Sequence, residues 1–313
     1  MNLIRGLDQL PEQFRYAAVS IGNFDGVHRG HVRIVERLAG LARRAGTSSV
    51  IFTFDPHPDR ILRPEQAPAP LGWTELKARL LAELGADAVV VYPTDRALLE
   101  FDAREFFDRI VRGRLAAQAL VEGPNFFFGR HREGDIGLLR RLCDDAGVRL
   151  EVVEPVAIDG QIVSSSRVRG LIAAGGVEQA RRLLTRPYRI RGTVVHGAGR
   201  GVTLGYPTAN LGRIEALLPG EGIYAGRAWL GDAPWPAAVN IGPNPTFGEA
   251  AAKVELYLIG YQGCLYGRAV EVDFLARLRD IQQFGSADQL VLQMDRDVAA
   301  TQEIVEQYDS QEP

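Results

Sequence analysis

Two patterns of apolar and polar residues divide the chain. From residue 17 to residue 184, short apolar runs alternate with stretches whose apolar residues recur every three or four positions. Ala17-Ala18-Val19-Ser20-Ile21, residues 49–54, Ala88-Val89-Val90-Val91, Ala119-Leu120-Val121 and residues 148–153 read as buried strands. Ile34, Leu38, Leu41 and Ala45 mark a helix ending at Ala45. Leu76, Leu80 and Leu84 mark another, which Thr74 is placed to cap. Further helices are expected over 103–111, 138–146 and 178–184, and one more opens at Ser164 and runs to Ala174. Asp55-Pro56-His57-Pro58 reads as a loop, and 64–70 as a flexible surface loop. Strict alternation of this kind predicts a doubly wound, mostly parallel sheet, with ligands at the carboxyl ends of its strands. Past Thr185-Arg186-Pro187 the helices stop. Runs with a β look over 188–196, 223–230, 237–241, 254–259 and 269–274, separated by turn residues, predict a closed antiparallel barrel. A last helix from Ser286 carries Leu290, Met294 and Val298 on one stripe. The expected domains are therefore 1–186 and 187–313.

Composition narrows the class without naming a chemistry. A chain of 313 residues is long enough for two cores, and 46% hydrophobic with 24% charged residues is typical of a soluble globular protein. A net charge of -3 gives no reason to expect nucleic acid or an anionic membrane as partner. The N-terminus lacks a charged-then-apolar leader, and no apolar run is long enough to span a bilayer, so a cytoplasmic protein is expected. Cys143 and Cys264 are too far apart to suggest a metal knuckle or a disulfide framework. The basic side chains are almost all arginine; Lys77 and Lys253 are the only lysines.

The chemistry begins at Gly22-Asn23-Phe24-Asp25-Gly26-Val27-His28-Arg29-Gly30-His31, between the first strand and its helix. A glycine-bearing turn that opens a helix presents backbone amides and the positive end of the helix dipole to an anion. Gly26 and Gly30 leave room for phosphate oxygens to approach the backbone. His28 and His31, three apart, can project to the same side of the helix start. His28-x-Gly30-His31 resembles the H-x-G-H signature of the nucleotidyltransferase superfamily. The full ten-residue string resembles the bifunctional riboflavin kinase/FMN adenylyltransferase family of bacteria. The resemblance adds Gly22 and Phe24 to the ATP site. It places His57, in Phe52-Thr53-Phe54-Asp55-Pro56-His57-Pro58, and Asn125 and Phe128, in Gly123-Pro124-Asn125-Phe126-Phe127-Phe128-Gly129, on the flavin side. Members commonly have arginine where Phe127 stands. Ser164-Ser165-Ser166-Arg167 resembles the second phosphate segment, with hydroxyls and a guanidinium suited to a triphosphate.

The second half has its own phosphate motif. Val195-His196-Gly197-Ala198-Gly199-Arg200-Gly201 is followed by Pro207-Thr208-Ala209-Asn210, which resembles the signature of the flavokinase family, whose fold is a six-stranded antiparallel barrel. The resemblance implies that Gly197, Gly199, Gly201 and Pro207 bind ATP, that Thr208 and Asn210 hold Mg²⁺, that Arg279 contacts flavin and that Glu255 is the base. Members often carry aspartates where this chain has Ile259-Gly260-Tyr261-Gln262-Gly263. The implied reactions are phosphorylation of riboflavin to FMN and adenylylation of FMN to FAD, with His28, His31 and Arg167 stabilising charge. A homo-oligomer is left open. The rival readings are a nucleotidyltransferase for another phosphorylated substrate with an attached non-catalytic flavin-binding barrel, and a flavin-binding or regulatory protein descended from an enzyme.

Overall fold

The computed structural model describes residues 2–197, 205–244 and 249–311. The chain forms two compact units, one built from residues 1–68 and 73–165, the other from 69–72 and 166–313.

The first unit holds β1 (Asn2–Arg5), β2 (Ala18–Ile21), α1 (Arg29–Ala45), β3 (Ser49–Asp55), α2 (Pro58–Leu62), α3 (Thr74–Glu83), β4 (Ala88–Pro93), α4 (Arg96–Glu100), α5 (Ala103–Phe106), β5 (Ala119–Glu122), α6 (Ile136–Ala146), β6 (Arg149–Val152) and the small hairpin β7 (Ala157–Ile158) and β8 (Gln161–Ile162). Six strands form one sheet in the order β1-β4-β3-β2-β5-β6, every neighbouring pair parallel. Strand residues alternate between two apolar clusters, one on each face. Val50 and Phe52 enter the cluster that takes Phe106, Phe107, Ile110, Leu139 and Leu142. Ile51 enters the one that takes Val35, Leu38 and Leu41 of α1 with Leu76 and Leu81 of α3. Burial on both faces is why β2 and β5 are mostly apolar without alternating, with Ser20 and Glu122 their only polar residues. The expected doubly wound sheet is present, and its order reverses between β2 and β5.

Several local expectations change. Thr74 does not cap α3 but is its first residue, and its hydroxyl donates to Asp55 Oδ2 at 2.6 Å. The proline-rich run 55–58 is not all loop: β3 extends through Asp55, and Pro58 starts α2, a position that needs no N–H. Pro64–Gln66 makes a 3-10 turn. The helix at 103 continues through a π-helical segment, Phe107–Arg114. β1, an edge strand of four residues, was not expected at all.

The second unit opens with α7 (Ser165–Ala173, whose first residue ends the first unit) and α8 (Val177–Leu183). β9 (Tyr188–Val195), β10 (Ala209–Gly212), β11 (Gly222–Leu230), β12 (Ala233–Asn244), β13 (Glu249–Leu258) and β14 (Ala269–Arg279) close a six-stranded antiparallel barrel in the order β10-β13-β12-β11-β14-β9. α9 (Ala287–Asp309) packs against β11, β12 and β14, with Ser286 accepting from the Gln289 amide as its cap. Tyr188, Ile190, Val194, Tyr224, Val239, Val254, Leu256, Val272 and Phe274 are buried between strands and fill the interior. Five of the six barrel strands were expected. β10 escaped because four residues containing Asn and Gly have little β propensity of their own.

Candidate active sites of the two units

β2 delivers the chain into residues 22–28, and α1 begins at Arg29 with His28 as its cap residue. The spacing of the two histidines has the consequence expected of it. Their rings stack, with centroids 3.7 Å apart and planes 15° from parallel. Gly30 serves this stack: a Cβ there would lie 3.1 Å from the His28 ring, so the glycine makes room for the histidine itself. The His28 amide donates to His31 Nδ1 at 3.3 Å, which leaves Nε2 to carry the proton of a neutral His31 ring. Burial, then the neighbouring His28, then Lys77 hold the His31 pKa well below the ordinary 6.5. His31 is thus a neutral donor at the start of a helix. The Phe24 ring packs against it with centroids 5.0 Å apart.

His57 caps α2, its Nδ1 accepting from the Asp59 amide at 3.1 Å. On the other side of the ring, the Asn23 side-chain amide nitrogen lies 2.8 Å from His57 Nε2. Ser165 ties the same loop from another side, its hydroxyl donating to the Asp25 carbonyl at 2.8 Å. Ser164 precedes it in the same unit, and Arg167 lies on α7 in the second unit. Asn125 is exposed on the loop that follows β5. Phe128 is 6% exposed and belongs to the core, stacked on Phe126. The exposed ring of that segment is Phe127, with the Arg132 guanidinium 4.7 Å from its centroid.

Two groups of this unit were not singled out from sequence. Glu122, at the end of β5, is 2% exposed and accepts from the Ile21 amide at the end of β2 at 2.7 Å. Regular pairing of β2 with β5 stops at Leu120, so this carboxyl bridges the strands where the sheet order reverses. Burial raises its pKa well above the ordinary 4.5, against the lowering effect of the Ile21 amide. Lys77 on α3 donates to the Asn23 carbonyl at 3.1 Å and to Thr53 Oγ1 at 3.0 Å. Its only sequence signal was rarity.

In the barrel, Val254, Leu256 and Leu258 point inward and are buried, which leaves Lys253, Glu255 and Tyr257 on the outer face. The register then lines up distant residues. Asn210 of β10 stands opposite Glu255 of β13, which stands opposite Asn240 of β12. Asn240 continues to Ile223 of β11 and Arg279 of β14. Adjacent strands lie about 4.8 Å apart, so the carboxylate sits between two amides, with Arg279 two strands further along the row. Arg279 is held by Asp297 of α9, with its Nη2 2.7 Å from Oδ2. A Cβ built on Gly197 would fall 2.0 Å from Asn210 Nδ2 and 3.1 Å from its Oδ1, so the amide nitrogen is the end laid against that backbone. Thr208 precedes β10 on the same parity as Asn210, and Pro207 is exposed beside it. Gly199 and Gly201 lie outside the described residues.

Comparison with known proteins follows the same division. The family model described as FAD synthetase matches residues 10–167, and the one described as riboflavin kinase matches 184–305. A bifunctional riboflavin kinase/FMN adenylyltransferase of Pseudomonas fluorescens is 38% identical over 301 residues, covering 96% of each chain. That of Escherichia coli K12 is 34% identical and covers 97% of each. The chain belongs to the bifunctional riboflavin kinase/FMN adenylyltransferase family. Within that family, the FAD synthetase match takes in the histidine stack, His57 and Asn125, and the riboflavin kinase match takes in Asn210, Glu255 and Arg279. A crystal structure described as a macrolide-efflux protein from Streptococcus pneumoniae has the same fold, with a TM-score of 0.85 at 28% identity over 96% of this chain and 99% of that one. Among the described residues of this chain, no helix is long and apolar enough to cross a membrane.

Proposed function

We propose that the chain converts riboflavin to FMN at the barrel and FMN to FAD at the parallel sheet, using one ATP in each step. The observation that carries this reading is that both family models match one chain, in order and without overlap. The catalytic division is placed between 186 and 187, and the working compartment is the cytoplasm.

In the kinase step the 5′-hydroxyl of riboflavin attacks the γ-phosphorus of ATP, and ADP leaves. Glu255 takes the hydroxyl proton, as a carboxylate within reach of a developing bond can. The donor set around Asn210 fits Mg²⁺. Among the described residues no cluster of three or more His, Cys, Asp or Glu could hold a metal. Thr208 and Asn210 instead offer neutral hard oxygens, and Mg²⁺ commonly takes few protein ligands beside substrate phosphates. With the Asn210 amide nitrogen laid on Gly197, its oxygen is the end left for this work. Bound there, the ion would neutralise phosphate charge; Gly197, Gly199, Gly201 and Pro207 would cradle the nucleotide.

In the adenylyl step a phosphate oxygen of FMN attacks the α-phosphorus of ATP, and pyrophosphate leaves. The nucleophile already carries charge, so no base is needed, and catalysis consists of positioning and charge stabilisation. Neutral His31 donates through Nε2, His28 braces its ring, and the α1 N-terminus favours the growing negative charge. Gly22, Phe24, Ser164 and Ser165 shape the phosphate loop, and His57 and Asn125 form the flavin side, while Phe128, expected there from sequence, supports that loop from the core. The parts of Arg167 and Arg279 rest on the family resemblance. The test is incubation of the purified chain with riboflavin and Mg-ATP, followed by chromatography of the flavins. FMN appearing first and FAD after it is the expected course; ATP consumption without a flavin product would defeat the reading.

A further inference from the structure

The loop between β2 and α1 is held in a conformation that its residues do not favour. Phe24 has φ of 48° and Val27 φ of 41°, both in the left-handed region where a Cβ is crowded, and a β-branched valine is especially rare there. Such backbone persists only where its surroundings over-determine it. The Asn23 carbonyl, just before Phe24, is where those surroundings converge. It accepts from Lys77 Nζ at 3.1 Å and from Thr53 Oγ1 at 3.2 Å, and Lys77 Nζ also donates to Thr53 Oγ1 at 3.0 Å. Thr53 is fully buried. The charged groups facing Lys77 are Asp25 from the loop after β2 and Asp55 at the end of β3, and His31 from α1, which in turn faces His28. In a chain whose other basic residues save Lys253 are arginines, a compact ammonium stands where two neighbouring acceptors must be gripped from one point.

We propose that Lys77 is a positioning residue for adenylyl transfer: its ammonium clamps the Asn23 carbonyl and so fixes the Phe24 turn against His31. The clamp follows from the shared acceptor and the strained turn it precedes. The same cation also bears on the desolvated His31 imidazole, where a positive neighbour disfavours the imidazolium. Lys77 acts through other groups and is assigned no contact with substrate.

The inference rests on reading the first unit as the FMN adenylyltransferase. Full-length parent, Lys77→Met, Lys77→Arg and Thr53→Val are assayed for FAD formation from FMN and Mg-ATP across pH, with riboflavin phosphorylation measured in the same preparations. Lys77→Met is expected to lower kcat about 10²-fold, the cost of misplacing a reacting group by about 1 Å, with KM less affected. The acid limb of its pH profile should move to higher pH, since losing the cation lets the His31 pKa rise. Lys77→Arg, which keeps the charge but not the compact ammonium, should recover only part of the rate, and riboflavin phosphorylation should match the parent throughout. Adenylylation by Lys77→Met at the parent kcat overturns the proposal. If melting curves show that Lys77→Met has unfolded its first unit, Thr53→Val decides: about a tenfold loss of kcat supports the clamp, and parent kinetics overturn it. A parent that makes no FAD defeats the adenylyltransferase reading itself. A parent that makes FAD beside an unaffected Lys77→Met defeats this inference alone.

Discussion

At the scale of single residues, the two proposed sites can be taken apart independently. His31→Ala removes a donor aimed at developing phosphate charge, and losing one such donor costs about 10²- to 10³-fold in rate. That variant should accumulate FMN from riboflavin and make little FAD. Glu255→Gln keeps the shape and removes the base, so riboflavin phosphorylation should fall by about 10²- to 10⁴-fold while supplied FMN is still adenylylated at the parent rate. Glu122 makes a prediction about stability. Its folded pKa is raised, so between the ordinary 4.5 and that raised value the folded chain binds more protons than the unfolded one. Its stabilising contribution is whole below 4.5 and is lost as pH rises through the folded pKa. Glu122→Gln can still accept the Ile21 amide bond and has no proton to lose. Melting curves should therefore show its advantage over the parent growing from pH 5 to pH 8; a constant offset would mean that the carboxyl does not titrate in this range.

At the scale of elements, the barrel row was half visible in the chain. Glu255 and Asn210 were picked out by resemblance, and the period of two along β13 puts Glu255 and Tyr257 on a face opposite Val254 and Leu256. Parity could not say which face was the interior, because both directions are sterically alike until the strand finds its neighbours. Nor could it join residues 210, 240 and 255, whose alignment depends on the pairing register of three strands. Gly197 tests the row from its flank. Gly197→Ala would push a methyl into the Asn210 amide, and the cheapest relief is rotation of that short side chain. Riboflavin phosphorylation should drop about 10²-fold with little change in the melting temperature, because the displaced group is not part of the core. Unchanged kinase kinetics would show that the Asn210 orientation is not needed.

At the scale of the whole chain, the change of pattern at Thr185-Arg186-Pro187 and the compact units do not fall at the same residue. α7 and α8 precede the change in pattern yet belong to the second unit. α8 packs on β9 and β14, Glu178 accepts from the Arg277 amide at 2.9 Å, and Val177, Ala180 and Leu183 are buried. Residues 187–313 expressed alone should still phosphorylate riboflavin without making FAD. They should also be less stable to urea than residues 166–313 by a few kcal/mol, since burying a side chain such as Val177 or Leu183 is worth about 1.5–3 kcal/mol. Equal unfolding midpoints would detach the two helices from the barrel's folding unit.

What the sequence determined was whatever is written in local spacing. Apolar runs set between helical repeats pointed to a two-faced parallel sheet, a histidine pair three apart was able to project to one side of a helix start, and five turn-separated strands called for a closed barrel. What the tertiary structure decided was everything that depends on which distant groups meet. A glutamate at the end of a strand looks like any strand-end carboxylate until burial strips its water and the Ile21 amide becomes its partner. A rare lysine is an oddity of composition until α3 brings it to the Asn23 carbonyl, 54 positions away in sequence. Such effects arise from desolvation and from hydrogen bonds across large sequence separations, and neither has a period that can be read along a chain.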